Sequence, residues 1–333
     1  MITSNPACFR GRKANKKQVD PTYSNKKSII AACREELNSE KERLPHLSAF
    51  LIICMIWGLS LVIAYGLLSS GIPPFFLIAV TYGLGSLSLL AVRTISGANP
   101  PIGRNELKYG IFVGTLIFCA FGLQTLGLTY TTPAKSGLLT VLYVLFIPLI
   151  LLILVRKTSV RSILFALIGF AGVLVMSGVT SGDVSMNRGD LLTIMCAVMF
   201  AMQFVALEKF SRRLNTMNFT LIQMTTVAFF GASISLMFET SRYSGIDLMG
   251  SWAGIAFMGF FVVGLGFFVQ TAVQKKIPST TMSILCCTES VFAMTFSWAF
   301  GYDNITLPLL LGAALIVASA LLSSMYERRG LIS

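Results

Sequence analysis

Among the 333 residues, Glu289 is the side chain best placed to do chemistry. It falls near the middle of a long apolar stretch, 279–300, and no Lys or Arg lies at comparable depth in any similar stretch. A carboxylate at that depth in a bilayer costs roughly 2.5–3.5 kcal/mol. Three arrangements offset the cost. The group is protonated, or it pairs with a solute cation, or it is hydrogen-bonded to neighbours such as Thr288, Ser283 or Ser290. Burial disfavours the charged form of a carboxyl, so proton acceptance is reasonable chemistry here.

Carboxamides come next. Gln124, Gln203, Gln223 and Gln270 all sit within apolar stretches. Lipid cannot satisfy their donors and acceptors, so they must face the protein interior. They either bind a solute or join helices, a bond worth about 0.6 kcal/mol on average. Trp57, Tyr82 and Tyr143 could line a cavity and stack on a flat or cationic solute. Trp298, near the end of a stretch, reads instead as part of the interfacial aromatic belt. Lys135 at the start of another stretch reads as a residue that snorkels to the surface, and Glu208 as the ion-pair partner of Lys209. The seven cysteines show no zinc or disulfide spacing, and a single histidine, His46, excludes a multi-histidine metal centre. No cofactor is expected.

The elements that must position these residues follow from composition. Apolar residues make up 55% and charged residues 12%, about half the charge a soluble domain carries. Such a chain cannot cover a soluble surface, which leaves a membrane protein with many spans. Apolar stretches of about 20 residues, the length a bilayer requires of a helix, recur from His46 onward. Ten are readable: 47–70, 74–95, 107–130, 134–155, 160–179, 190–210, 217–239, 250–273, 279–300 and 305–325. The alternation of a membrane barrel is absent.

Residues 1–45 form a basic tail without an apolar core, so they do not read as a secretory signal. A solvated, disordered cytoplasmic segment, one drawn to anionic lipid head groups, and a transit peptide are the open readings of it. Alternate breaks between the stretches carry thirteen basic residues, from Arg93 to Arg329. The remaining breaks carry only Lys135, Arg188 and Arg242. This bias places both termini in the cytoplasm, as an even number of spans demands.

An internal repeat emerges at an offset of 146 residues: Gln124-Thr125 falls on Gln270-Thr271, and Tyr143 on Glu289. Trp57-Gly58-Leu59-Ser60 falls less closely, opposite Phe200-Ala201-Met202-Gln203. The unit is five spans. Five is odd, so the second unit enters the bilayer reversed. The expected fold is all-α integral membrane, with ten transmembrane helices as two inverted five-helix repeats over 46–182 and 183–327, and a short cytoplasmic tail at 328–333. Inverted repeats are an architecture of alternating-access transporters, which hold solute near the midplane.

The chain resembles the drug/metabolite transporter superfamily, specifically its ten-span EamA-type members. The residues that carry the resemblance are Ile56-Trp57-Gly58, the run from Thr131 to Gly137, Leu142-Tyr143-Val144, Phe146-Ile147-Pro148, and Thr288-Glu289 before Val291-Phe292. It covers about 46–326. Family members often have proline after the ninth-span glutamate, where this chain has Ser290. The resemblance implies a central cavity lined by spans one to four and six to nine, export of amino acids or related metabolites, and a bacterial inner membrane. Uptake or exchange of a nucleoside-like metabolite such as S-adenosylmethionine or S-adenosylhomocysteine is the alternative.

No phosphate-binding loop and no catalytic cluster are readable, so secondary transport is expected, without enzymatic activity. A proton or ion channel is the alternative of another class, but it wants a ring of charges in an oligomeric pore. Gly110 with Gly114, and Gly169 with Gly172, are expected at close helix contacts, and Pro148 at a bend. The partners expected are a small-molecule solute and the lipid bilayer, and not nucleic acid. Coupling to a proton or ion and a homodimeric state stay open.

Overall fold

The computed structural model describes residues 48–97, 100–155 and 186–330, together with 164, 165, 167–169, 171, 172 and 175. The basic tail and most of the fifth expected stretch lie outside the described residues. Among the described residues every regular element is a helix. They run α1 (Ser48–Ser69), α2 (Pro74–Ser96), α3 (Arg104–Leu128), α4 (Pro133–Thr140), α5 (Tyr143–Val155), α6 (Arg188–Ser211), α7 (Thr216–Phe238), α8 (Leu248–Gln274), α9 (Ser279–Ala299) and α10 (Leu307–Gly330). A 3-10 turn, Thr240–Gly245, joins α7 to α8.

Seven described stretches are long and apolar enough to cross a bilayer, with α4 and α5 counting as one. The 21 residues of α9 and the 24 of α10 also match the length a bilayer requires. α10 continues to Gly330, past the end expected near 325. Helices are forced here because hydrocarbon offers backbone groups no partner outside their own segment.

Punctuation is local. Pro74 and Pro133 occupy first helical positions, where the missing N–H is no loss. Gly97 ends α2 with φ near 60°, a conformation only glycine adopts freely. Asn187 and Asp190 form a reciprocal capping box at the start of α6. Asn215 and Asp247 cap α7 and α8.

Some caps come from far along the chain. α2 has no side-chain cap of its own. Glu239, just past α7, supplies it: its carboxylate accepts from the backbone N–H of Phe75 at 3.0 Å and Phe76 at 2.8 Å. At the other end of the same pair, Arg93 in the last turn of α2 donates to Asn218 Oδ1 in the first turn of α7, at 2.8 Å. Each helix thus grips the start of its partner.

Packing follows the glycines. A methyl on Gly114 of α3 would stand 2.8 Å from the Gln223 carbonyl of α7, so the two backbones touch. Gly110 on the turn before meets Ile222 of the same helix. Gly169 and Gly172 are both buried, and Gly169 faces Leu145 of α5 and Ser319 of α10. α2 also packs on the middle of α8, α3 on α6, and α4 on both α6 and α9. One apolar core joins α1, α4, α5, α6, α8, α9 and α10; a second joins α2, α3, α6, α7 and α8.

Two irregularities interrupt the helices. The middle of α8, Met258–Gly266, is a π-helix of 9 residues. Between α4 and α5 the backbone tightens, with Leu142, Val144 and Leu145 donating to the residues three before them. The break therefore lies at 141–142, ahead of Pro148, which stays inside α5. A proline ring crowds the carbonyl four residues earlier, which shifts distortion toward the amino-terminal side.

Candidate functional site

A single cavity collects the side chains singled out by type and depth. Trp57 of α1, Tyr82 of α2, Gln124 of α3, Tyr143 at the start of α5, Gln203 of α6, Gln270 of α8 and Glu289 of α9 all line it. Its volume is about 70 Å³. On this measure a water takes roughly 10–15 Å³, so about five waters fill it.

The carboxyl has no competitor. Among the described residues Glu289 has no hydrogen-bond or ion-pair partner, and no Lys or Arg lines the cavity. Thr288 and Ser290 turn their hydroxyls back to carbonyls of their own helix, at 2.6 and 2.7 Å. The backbone around Glu289 is fixed from outside, because Gly58 of α1 lies against its carbonyl.

The carboxamides divide. Gln124 donates from Nε2 to Thr140 Oγ1 of α4 at 3.1 Å, which engages one of that nitrogen's two hydrogens. Gln203 is 1% exposed and neither end of its amide has a partner. The Gln270 oxygen is likewise unpartnered, as are the hydroxyls of Tyr82 and Tyr143. Gln223 is buried but absent from the cavity lining; its backbone packs against Gly114 at the contact of α3 with α7.

Rings close the wall. Trp57 meets Phe267 at 5.6 Å between centroids, and Phe267 meets Tyr82 at 6.0 Å and Phe121 at 5.8 Å. Phe121 continues to Phe200 at 5.1 Å, and Tyr143 meets Phe200 and Phe204 at 6.5 and 5.2 Å. Seven aromatic side chains therefore form one connected collar, all of them lining the cavity. Tyr82, Tyr143 and Trp57 were readable from the sequence; the four phenylalanines were not. A signal existed at the offset of 146, since Phe121 and Phe267 each stand three residues before a Gln-Thr pair. The same offset carries Trp57 onto Gln203, a closer register than the one matched on Phe200-Gln203.

The π segment shapes this wall. Met258, Val262 and Val263 lie in it and line the cavity. The Trp57 indole N–H donates to the Val262 carbonyl at 3.3 Å, and the ring lies against Gly266, where a methyl would stand 2.6 Å from Nε1.

The cavity extends both ways from the middle of the helices: on α6 and α8 its lining reaches Phe204 and Gln270, toward the α6–α7 and α8–α9 turns. Its lining on α1, α2 and α3 lies toward the ends nearest the α1–α2 and α3–α4 turns, as far as Leu77 and Leu128. At that end Thr131 donates to Asp190 Oδ1 at 2.6 Å and Lys135 lies 3.7 Å from Asp190 Oδ2. Lys135 is thus ion-paired rather than extended to the surface as expected. Asp303 accepts from Ala134 N and Ser297 Oγ. Trp298 is 56% exposed, as an interfacial ring should be.

At the opposite end α6 is tied to α8 and α9. Gln274 Nε2 donates to the Phe204 carbonyl at 2.7 Å, and Lys275 Nζ to the Leu214 carbonyl at 2.6 Å. Partial burial lowers the Lys275 pKa from its ordinary value. Glu208 accepts from Ser279 N and Oγ at 2.8 and 2.7 Å and pairs with Arg212 at 2.8 Å. Its ion-pair partner is therefore Arg212, one helical turn on, and not the adjacent Lys209, because residues four apart share a helix face.

Among the described residues, a bundle of long apolar helices around an internal, mostly apolar cavity with a few buried polar groups fits one class, the multi-pass membrane carriers. The comparisons with known proteins agree. The chain matches the EamA-like transporter family over residues 45–178 and again over 187–325. It belongs to that family and is a multi-pass integral membrane transporter. An "Uncharacterized transporter" of Archaeoglobus fulgidus is 25% identical over 82% of this chain and 84% of its own length. "Uncharacterized transporter YvbV" of Bacillus subtilis is 29% identical over 84% and 90% respectively. One crystal structure is similar at TM-score 0.66 over 86% of this chain and 97% of its own, with 22% identity, which shows a shared fold.

Proposed function

We propose that this chain is a secondary transporter that moves a small polar metabolite, an amino acid or related compound, by alternating access, in export or exchange. The observation that carries the reading is the cavity itself: one unpaired carboxyl, Glu289, and an unpaired carboxamide, Gln203, enclosed between helices of both halves. Glu289 takes up a proton or the solute cation. Gln203, Gln270 and the free oxygen of Gln124 provide hydrogen bonds.

The packing supports an inverted repeat. Arg93 and Glu239 stand 146 positions apart, and each reaches from the end of its helix to the start of the other's. The contact of α3 with α7 has its counterpart in that of α8 with α2. With the basic breaks facing the cytoplasm, the lining on α1, α2 and α3 lies toward the outer side, and the Glu208, Gln274 and Lys275 ties hold the cytoplasmic ends of α6, α8 and α9 together. Both termini are then cytoplasmic, in what the family resemblance suggests is a bacterial inner membrane.

An adenosylated metabolite is the second solute. A sulfonium would suit Glu289, yet a space filled by about five waters favours something smaller in this conformation. A channel would want a continuous polar pore, and no feature of the collar favours one.

Uptake into proteoliposomes of amino acids, amines and adenosylated metabolites tests the reading. Saturable uptake of one class is expected, with Glu289→Gln abolishing transport or uncoupling it from pH. Unaltered flux and pH dependence in the purified variant would reject Glu289 as the central group. Proton flux with no solute selectivity would favour the channel.

A further inference from the structure

We propose that the solute is a small organic ammonium ion with a flat apolar body and no carboxylate. The inference rests on the transporter reading above and narrows its solute from amino acids to related amines that lack the carboxylate.

The charges inside the cavity are one-sided. Glu289 is the single ionisable carboxyl in its lining, and no Lys or Arg faces it. A carboxylate brought in would meet a like charge and find no cation. A zwitterion would pair its ammonium and leave its carboxylate without a counter-charge.

The unpartnered acceptors point the same way. An ammonium of a primary amine has three N–H donors and accepts nothing. Three acceptor groups line the cavity with no partner, the Glu289 carboxyl, Gln203 Oε1 and Gln270 Oε1, beside the unpartnered Gln203 Nε2 and the hydroxyls of Tyr82 and Tyr143, none of which carries a positive charge. Gln203 and Gln270 are 1% and 2% exposed, so neither reaches bulk water to satisfy itself. Buried polar groups left unpaired carry a desolvation penalty that a bound donor relieves.

The walls select the body of the solute. The collar from Trp57 through Phe267, Phe121 and Phe200 to Tyr143 presents ring faces and edges on most sides. Aromatic rings attract cations and pack flat apolar groups. A volume of about 70 Å³ limits the guest to the size of a single ring with a short tail.

Binding decides this apart from transport. Trp57 lines the cavity, whereas Trp252 and Trp298 are exposed. In the full chain with Trp252→Phe and Trp298→Phe, Trp57 fluorescence reports occupancy. Phenethylamine and 3-phenylpropionate share a body and differ in charge. The amine is expected to bind at least tenfold tighter. Glu289→Gln should erase that preference, and Gln203→Leu should weaken amine binding several-fold while keeping the preference. Equal or tighter binding of the carboxylate, binding of neither, or a preference that survives Glu289→Gln would overturn the proposal. Proteoliposome uptake is read separately. Amine-selective binding without uptake leaves this inference standing and contradicts the transporter reading. Uptake without charge preference does the reverse.

Discussion

Glu239 holds the start of α2 with both carboxylate oxygens and takes a further hydrogen bond from Ser235 at 2.8 Å. Removing it leaves two backbone N–H groups without partners, a loss of about 1–3 kcal/mol. Glu239→Ala should lower the melting temperature of the detergent-purified protein by several degrees; an unchanged value would contradict the capping role. Such caps were not legible in the sequence, because Phe75 and Glu239 are 164 positions apart and no local pattern joins them. The cavity residues were legible, since a carboxyl or carboxamide in hydrocarbon has few places to go. Gln223 faces the interior as expected, but at the contact of α3 with α7 and not in the cavity, and its type alone did not separate it from Gln203. Phenylalanine carried no signal alone, with 25 in the chain. Thr140→Val tests the one amide already engaged. It frees Gln124 Nε2 and should change apparent solute affinity several-fold in uptake assays; unchanged affinity would place Gln124 outside the binding surface.

At the scale of elements, contact distance is set by residues too small to fill space. A methyl on Gly58 would stand 2.6 Å from Phe292 Cβ and 2.8 Å from the Glu289 carbonyl. Backbone cannot yield as a flexible side chain does, so Gly58→Ala must push α1 from α9 beside the key carboxyl. Overpacking of this kind costs typically about 1–3 kcal/mol. A lowered melting temperature and reduced uptake are expected for Gly58→Ala. Gly83→Ala, which meets nothing within 4 Å, should leave both near wild type. Equal effects at the two positions would contradict the packing. Helix lengths and most boundaries could be read from hydropathy. The π segment could not, because Met258–Gly266 is apolar like the α-helical stretches around it and its contacts with Trp57 and Leu84 lie far away in sequence. The proline signal was real but displaced, since distortion falls on the turn before Pro148.

For the whole molecule, the repeat offset, the double family match and the reciprocal grip of α2 and α7 each support the proposed duplication. The offset was readable because paired polar residues in apolar helices are rare. The differences between halves were not, and they matter more for function: Tyr143 stands where the second half has Glu289, and Trp57 where it has Gln203. The two halves therefore offer a solute different groups at matched positions. Alternating access requires that this one cavity open to each face in turn. The native Cys286 thiol lines it. In a chain that keeps Cys286 and replaces the other six cysteines, a small membrane-impermeant thiol reagent can be applied from either side of sealed vesicles of known orientation. Labelling from both sides, with transported solute slowing it on each, is the result expected. Labelling that stays confined to one face, with or without solute, would contradict a carrier that exchanges its cavity between the two sides.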